Sequence, residues 1–154
     1  LALSPELALL SKKDAFTKLT KKLAGPVSKL APNKTIDLII DFKQLTSDLK
    51  ILRTYISDDK ILKSISLRTA AEFYKSMKWV MDNASKLTCP TFIMQAGNDI
   101  IADKDKTREF FDSVKSQDKT YREYEDMLHA LLDEKRRAQV LQDMFVWVER
   151  KLKK

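Results

Sequence analysis

Two residues of this 154-residue chain stand where polar side chains can do chemistry. Asp99 follows an apolar run and Gly97 in TFIMQAGNDIIAD, and His129 lies in EDMLHALLDE, just after KTYREY. A carboxylate beside an imidazole is the orienting half of a nucleophilic triad. The acid fixes the ring tautomer and stabilises the imidazolium, while the ring takes the nucleophile's proton. Each residue alone also has a structural reading, since Asp tolerates tight turns and a single histidine is commonly a packing residue. They form a pair only if the elements that carry them bring both loops to one edge of a sheet.

The last third of the chain has the pattern to do that. TFIMQA, bounded by Pro90 and Gly97, predicts a short buried parallel strand. Asp103 is placed to cap a helix whose inner face is Thr107, Phe110, Phe111 and Val114. Lys119 to Tyr124, rich in Tyr and Thr, predicts a second strand. A closing helix would turn Leu141, Met144, Phe145, Val148 and Leu152 inward. Two strands joined by a helical crossover imply a parallel pair in an α/β sheet. Sites in such sheets form beyond the carboxyl ends of the strands, so the Asp99 and His129 loops are expected to meet.

Upstream of Pro90 the texture is helical. LALSPE reads as the end of a buried strand running into a Pro-marked bend, and residues from about Glu6 to Ala24 as a helix with Leu9, Phe16, Leu19 and Leu23 on one side. Gly25-Pro26 and Pro32-Asn33 mark breaks. Ile36 to Ser57 is poorly periodic and predicts short helices and loops. Ser66 is then an N-cap for a strong helix striped by Leu67, Ala70, Ala71, Tyr74, Met77, Met81 and Ala84. Phe73, Trp79 and Val80 fall off that stripe, which predicts packing against more than one neighbour.

Composition narrows the function classes. At 44% hydrophobic the chain can build one core, and no apolar stretch approaches the ~20 residues of a bilayer span. A single cysteine, Cys89, excludes an internal disulfide, fits a reducing compartment such as the cytoplasm, and reads as a small core residue. One Cys and one His without ligand spacing argue against a metal site, and no cofactor is expected. The net charge of +7 comes mostly from seven lysines against Asp14 between Lys12 and Lys34. That stretch supports an alternative class, a non-catalytic basic interaction module. Only Phe16 interrupts the lysines, so stacking on nucleic acid is not expected; a solvated face or peripheral contact with an anionic membrane fits better.

The nucleophile is missing from the pattern. A Gly-x-Ser-x-Gly elbow needs flanking glycines, and the two glycines, Gly25 and Gly97, have no serine two residues away. Ser4 reads as structural. The chain begins at Leu1 with no basic signal-peptide region, and the expectation is a processed product or a piece of a longer protein.

Five stretches together resemble the C-terminal part of the monoacylglycerol lipase and lysophospholipase group of α/β-hydrolases, related to the serine aminopeptidases. LALSPEL resembles the sixth strand and the bend into the cap, and SDLKILRTYISDDKIL a cap segment with an acid-led helix, a tyrosine and an acidic turn. LTCPTFIMQAGNDIIAD is similar to the seventh strand and acid loop, SQDKTYREYEDMLHALLDE to the eighth strand and histidine loop, and DMFVWVERKL to the terminal helix. The resemblance implies an α/β fold, the C-terminal portion of an α/β-hydrolase with a helical cap inserted after the sixth strand. It divides the chain into a core-strand end (1–5), a cap (6–88) and the last part of the core (89–154). It also implies that Asp99 is the triad acid, His129 the general base and Asp103 a helix cap. One departure is Ala130, where family members often carry Glu. The serine and oxyanion donors would come from an upstream half of the same hydrolase, and this chain alone would be inactive. The implied substrate is a lipid ester, with an apolar cap underside drawn from Leu9, Leu10, Phe16, Leu38, Ile39, Ile40 and Phe42.

Overall fold

The computed structural model describes residues 2–3, 29–37 and 41–153, the first two by backbone alone. In chain order its elements are β1 (Ala2–Leu3), β2 (Thr35–Asp37), α1 (Leu49–Ser57), β3 (Ser64–Ser66), α2 (Leu67–Asp82), β4 (Thr91–Ala96), α3 (Lys104–Ser113), β5 (Lys119–Tyr124) and α4 (Arg137–Leu152). Short 3-10 turns lie at Phe42–Gln44, Ala84–Lys86 and Leu131–Asp133.

The apolar run TFIMQA becomes β4, and every one of its residues is buried. Burial on both faces is what a continuous apolar strand without alternation requires. β4 is the middle strand of a parallel sheet in the order β1-β4-β5, with Ala2 opposite Ile93 and Ala96 opposite Tyr124. Side chains alternate across this sheet, and the two helices divide its faces. On one face Phe92 packs on Trp147 of α4, with ring centroids 5.8 Å apart, and Tyr124 donates to Asp143 at 2.7 Å. On the other, Tyr121 meets Phe111 of α3 at 5.4 Å and Glu123 pairs with Lys104. The main core cluster is Phe92, Met94, Ala96, Tyr124, Met127, Leu131 and Val140, flanked by Met144 and Trp147.

Helix starts follow local chemistry. The Asp103 carboxylate accepts from the N–H groups of Asp105 and Lys106 to open α3, and Ser66 accepts from Thr69 N–H to open α2. Asp48 caps α1 in the same way through Lys50 N–H. Leu67, Ala70, Ala71, Met77 and Ala84 of the expected stripe are buried.

Four expectations are corrected. Thr35–Asp37 pairs antiparallel with Ser64–Ser66, so the stretch from Ile36, expected as short helices and loops, opens on a strand; strands of three residues are too short to show a period. Phe73 and Trp79, expected to pack on a second neighbour of α2, are exposed, and of the three off-stripe residues Val80 is half-buried. The apolar arc of α4 is wide, and the part that turns inward is centred on Val140, Met144 and Trp147, with Val148 half-buried and Leu141, Phe145 and Leu152 exposed. Cys89 is exposed rather than in the core. The expected helix from Glu6 to Ala24, Ser4, most of the lysine-rich stretch and Leu38 to Ile40 lie outside the described residues. Phe42 is half-buried and stacks on Tyr55, with centroids 6.0 Å apart. No helix among the described residues is long and apolar enough to cross a membrane.

Met94 lies at 0% exposure in the centre of β4. Met94→Ala should lower unfolding free energy by about 2–5 kcal/mol through lost burial and a residual cavity, read as a lower denaturant midpoint with unchanged slope.

Candidate active site

β4 and β5 are parallel neighbours in register, so their C-terminal loops leave the sheet on the same edge. Two backbone hydrogen bonds continue the contact beyond the last strand pair: Gly97 N–H donates to Tyr124 O at 2.9 Å, and Asn98 N–H to Met127 O at 3.1 Å. Gly97 makes this approach feasible. A Cβ at that position would fall 2.5 Å from Glu125 Cα and 2.7 Å from Glu125 O, both backbone atoms with no room to give. The glycine is needed for closeness rather than for an unusual backbone angle.

The two loops bring Asp99 and His129, 30 residues apart in sequence, into contact, with His129 Nδ1 2.9 Å from Asp99 Oδ2. Asp99 is buried, 4% exposed, and its carboxylate is filled on every side. Oδ1 accepts from Ile101 N–H and Ala102 N–H, each at 2.9 Å. Oδ2 accepts from His129 Nδ1 and from Gln95 Nε2 at 3.1 Å. A carboxylate offers about four acceptor positions, and all are used. Burial pulls the Asp99 pKa up, but the His129 hydrogen bond and the Ala102 and Ile101 N–H groups outweigh it and hold the pKa below the ordinary carboxylate value. An ionised carboxylate only accepts, so Nδ1 carries the proton, and the basic nitrogen of the neutral ring is Nε2. That is the tautomer a general base needs.

Asp103, the other acid of the loop, is committed to the start of α3 through two backbone N–H groups. Gln95 was missed in the sequence. It is fully buried on β4, its Nε2 also donates to Ala96 O at 3.1 Å, and its Oε1 has no partner among the described residues. Because Nε2 faces two acceptors, the opposite amide orientation would set oxygen against oxygen. The available signal was one polar residue inside an apolar run, four positions before the acid. Glu134 was also missed; it is 2% exposed and accepts from Leu128 N–H at 3.1 Å, beside His129.

Solved structures share this fold. The chain superposes on a soluble variant of monoglyceride lipase from Saccharomyces cerevisiae, in complex with a substrate analogue, with TM-score 0.81 and 24% identity, covering 95% of this chain and 51% of that one. For the monoacylglycerol lipase of Paleococcus ferrophilus the TM-score is 0.84 at 23% identity, covering 94% and 55%. The architecture is therefore the C-terminal portion of an α/β-hydrolase. A sequence model described as "Serine aminopeptidase, S33" matches residues 2–136, and the chain belongs to that hydrolase family. Phospholipase YtpA of Bacillus subtilis (strain 168) is 28% identical over 112 residues, 72% of this chain and 43% of that protein. A putative monoglyceride lipase of Schizosaccharomyces pombe is 26% identical over 119 residues, covering 77% and 31%. Caffeoylshikimate esterase of Arabidopsis thaliana is 27% identical over 121 residues. The chain spans less than half the length of these curated relatives.

Two outcomes are expected at this site. Gly97→Ala should cost on the order of 1–3 kcal/mol, because backbone must move to admit the methyl, and should broaden or shift the His129 ring resonances in a proton NMR spectrum. For the acid, the sign is set by its depressed pKa. The stability it contributes is present above the unfolded value near 4 and is lost as pH falls through the lower folded value. Unfolding midpoints of wild type and Asp99→Asn, compared from about pH 7 to 2, should therefore converge at the acid end.

Proposed function

We propose that the chain carries the acid and base of a serine hydrolase that cleaves carboxylic esters of lipids, of the monoacylglycerol or lysophospholipid type. The observation that carries the reading is the 2.9 Å contact of His129 Nδ1 with the buried, ionised Asp99, at the ends of two adjacent parallel strands. His129 Nε2 takes the proton of a serine hydroxyl as that oxygen attacks the ester carbonyl, and Asp99 stabilises the imidazolium that results. His129 then delivers the proton to the departing alcohol, and the same base activates water to release the acid. The serine and the oxyanion donors come from an upstream half of the hydrolase, within the length of the relatives that this chain does not span. Without them the chain alone is inactive.

In this reading residues 1–5 end a core strand, 6–88 form a cap over the site and 89–154 complete the core. The names of two relatives, a putative monoglyceride lipase and a caffeoylshikimate esterase, point to carboxylic esters and support that bond as the target, and a third, a phospholipase, supports a lipid substrate. Peripheral contact with a membrane from the cytoplasm would supply such a substrate.

The complete protein should react with a fluorophosphonate probe and hydrolyse a p-nitrophenyl ester. His129→Ala should abolish labelling, and Asp99→Asn should lower kcat by about 10⁴, because the amide cannot satisfy the backbone N–H pair and hold the Nδ1–H tautomer at once. Undiminished labelling of His129→Ala would remove the assignment.

A further inference from the structure

His129 stands on a loop, and loops need anchors if they are to hold a ring within a fraction of an ångström. Its Nδ1 is fixed by Asp99, but that contact fixes only the ring. The backbone on either side is held by other groups. On the N-terminal side Leu128 N–H donates to Glu134 Oε1 at 3.1 Å. On the C-terminal side Ala130 N–H donates to Leu45 O at 2.8 Å.

Both anchors lead to one distant segment, residues 45–48, placed ahead of α1. Ser47 N–H donates to Glu134 Oε1 at 2.9 Å, and Ser47 Oγ to Glu134 Oε2 at 2.5 Å. Thr46, 2% exposed, donates from Oγ1 to Asp133 O at 2.7 Å. Arg137 reaches Asp48 at 3.2 Å, and Tyr55 of α1 donates to Asp133 Oδ2 at 2.5 Å. Burial and the Asp133 carboxylate push the Tyr55 pKa up to about 12, so the phenol keeps its proton as donor. Glu134 is the shared point of these contacts. It is a buried carboxylate that accepts from a hydroxyl and two backbone N–H groups. Burying a carboxylate is costly, and a fold that needed only to fill this space could do so with an apolar side chain. What the carboxylate offers instead is two oxygens that bridge the histidine loop to residue 47.

We propose that Glu134 is a positioning residue for His129, acting with the strap Leu45–Asp48 to lock the backbone on both sides of the imidazole. This rests on His129 being the general base. Glu134 touches neither substrate nor nucleophile; it sets where Nε2 stands.

The test uses steady-state hydrolysis of a p-nitrophenyl ester by the complete protein. Glu134→Ala should lower kcat by about 10²-fold, the scale of a misplaced catalytic group, with KM within about twofold. Glu134→Gln keeps an oxygen for the two N–H groups, while Ser47 Oγ can turn to accept from the new amide, so it should recover most of the loss. An unchanged kcat in Glu134→Ala, with His129→Ala inactive, would overturn the positioning role and leave the triad reading intact. A loss in Glu134→Ala carried by KM rather than kcat would also overturn it, as a defect of binding or folding. Full activity of His129→Ala would instead overturn the triad reading beneath it. If Glu134→Ala does not fold, Ser47→Ala carries the same comparison, with a kcat loss of about tenfold expected and an unchanged kcat counting against the proposal.

Discussion

The site depends on how closely one loop can cross another. At Gly97 the backbone lies so near Glu125 that even a methyl group would overlap its main chain, at 2.5 Å from Cα. The absent side chain lets the β4–β5 contact run two hydrogen bonds past Ala96 and Tyr124, through Gly97 and Asn98. Asp99 therefore leaves from a root already fixed to the histidine loop. The sheet sets the direction of the two loops, and the glycine sets their separation. A chain with only two glycines uses one at the single described crossing where a Cβ has no space.

Separation alone would not hold a charge in place. Asp99 is buried, and a buried carboxylate with empty acceptor positions would protonate or turn. Two N–H groups at the start of the Ile101–Ala102 turn take one oxygen, and Gln95 and His129 take the other. The turn that carries the acid also solvates it. Asp103 shows the alternative fate of an acid four residues on: half-buried, spent on the start of α3, and unavailable to the ring.

What could be read from the sequence follows the range of the interaction involved. Asp103, Ser66 and the strands TFIMQA and KTYREY depend on neighbours within a few residues, and they stand where patterning puts them. The parallel pairing, and with it the meeting of Asp99 and His129, follows from strand-helix-strand order. Failures appear where the choice is tertiary. The apolar arc of α4 is wider than its contact with the sheet, and the part carrying Trp147 is the part that meets Phe92. Cys89 precedes a buried strand but is itself outside it. Nothing local marks Glu134, because its Ser47 partner lies 87 residues upstream. Gln95 could have been found, since an amide in an otherwise apolar buried strand needs acceptors, and the acid four residues later supplies one.

Asp99 and Glu134 are both buried carboxylates, yet they solve different problems, and their donors show it. Asp99 accepts from the imidazole itself, so it acts on the ring: it selects the Nδ1–H tautomer and favours the cation. Glu134 accepts from Leu128 N–H and Ser47, so it acts on the main chain beneath the ring. A ring held by Asp99 alone could still follow a loop that rocked about its ends, and a loop held by Glu134 alone would leave the ring free to choose the other tautomer. Proton transfer needs both distance and tautomer to be right at once. The second requirement is met within the sheet, at the end of β4. The first, in the proposed role of His129, is met from outside it: residues 45–48 hold the loop and belong to neither of the strands that present the ring.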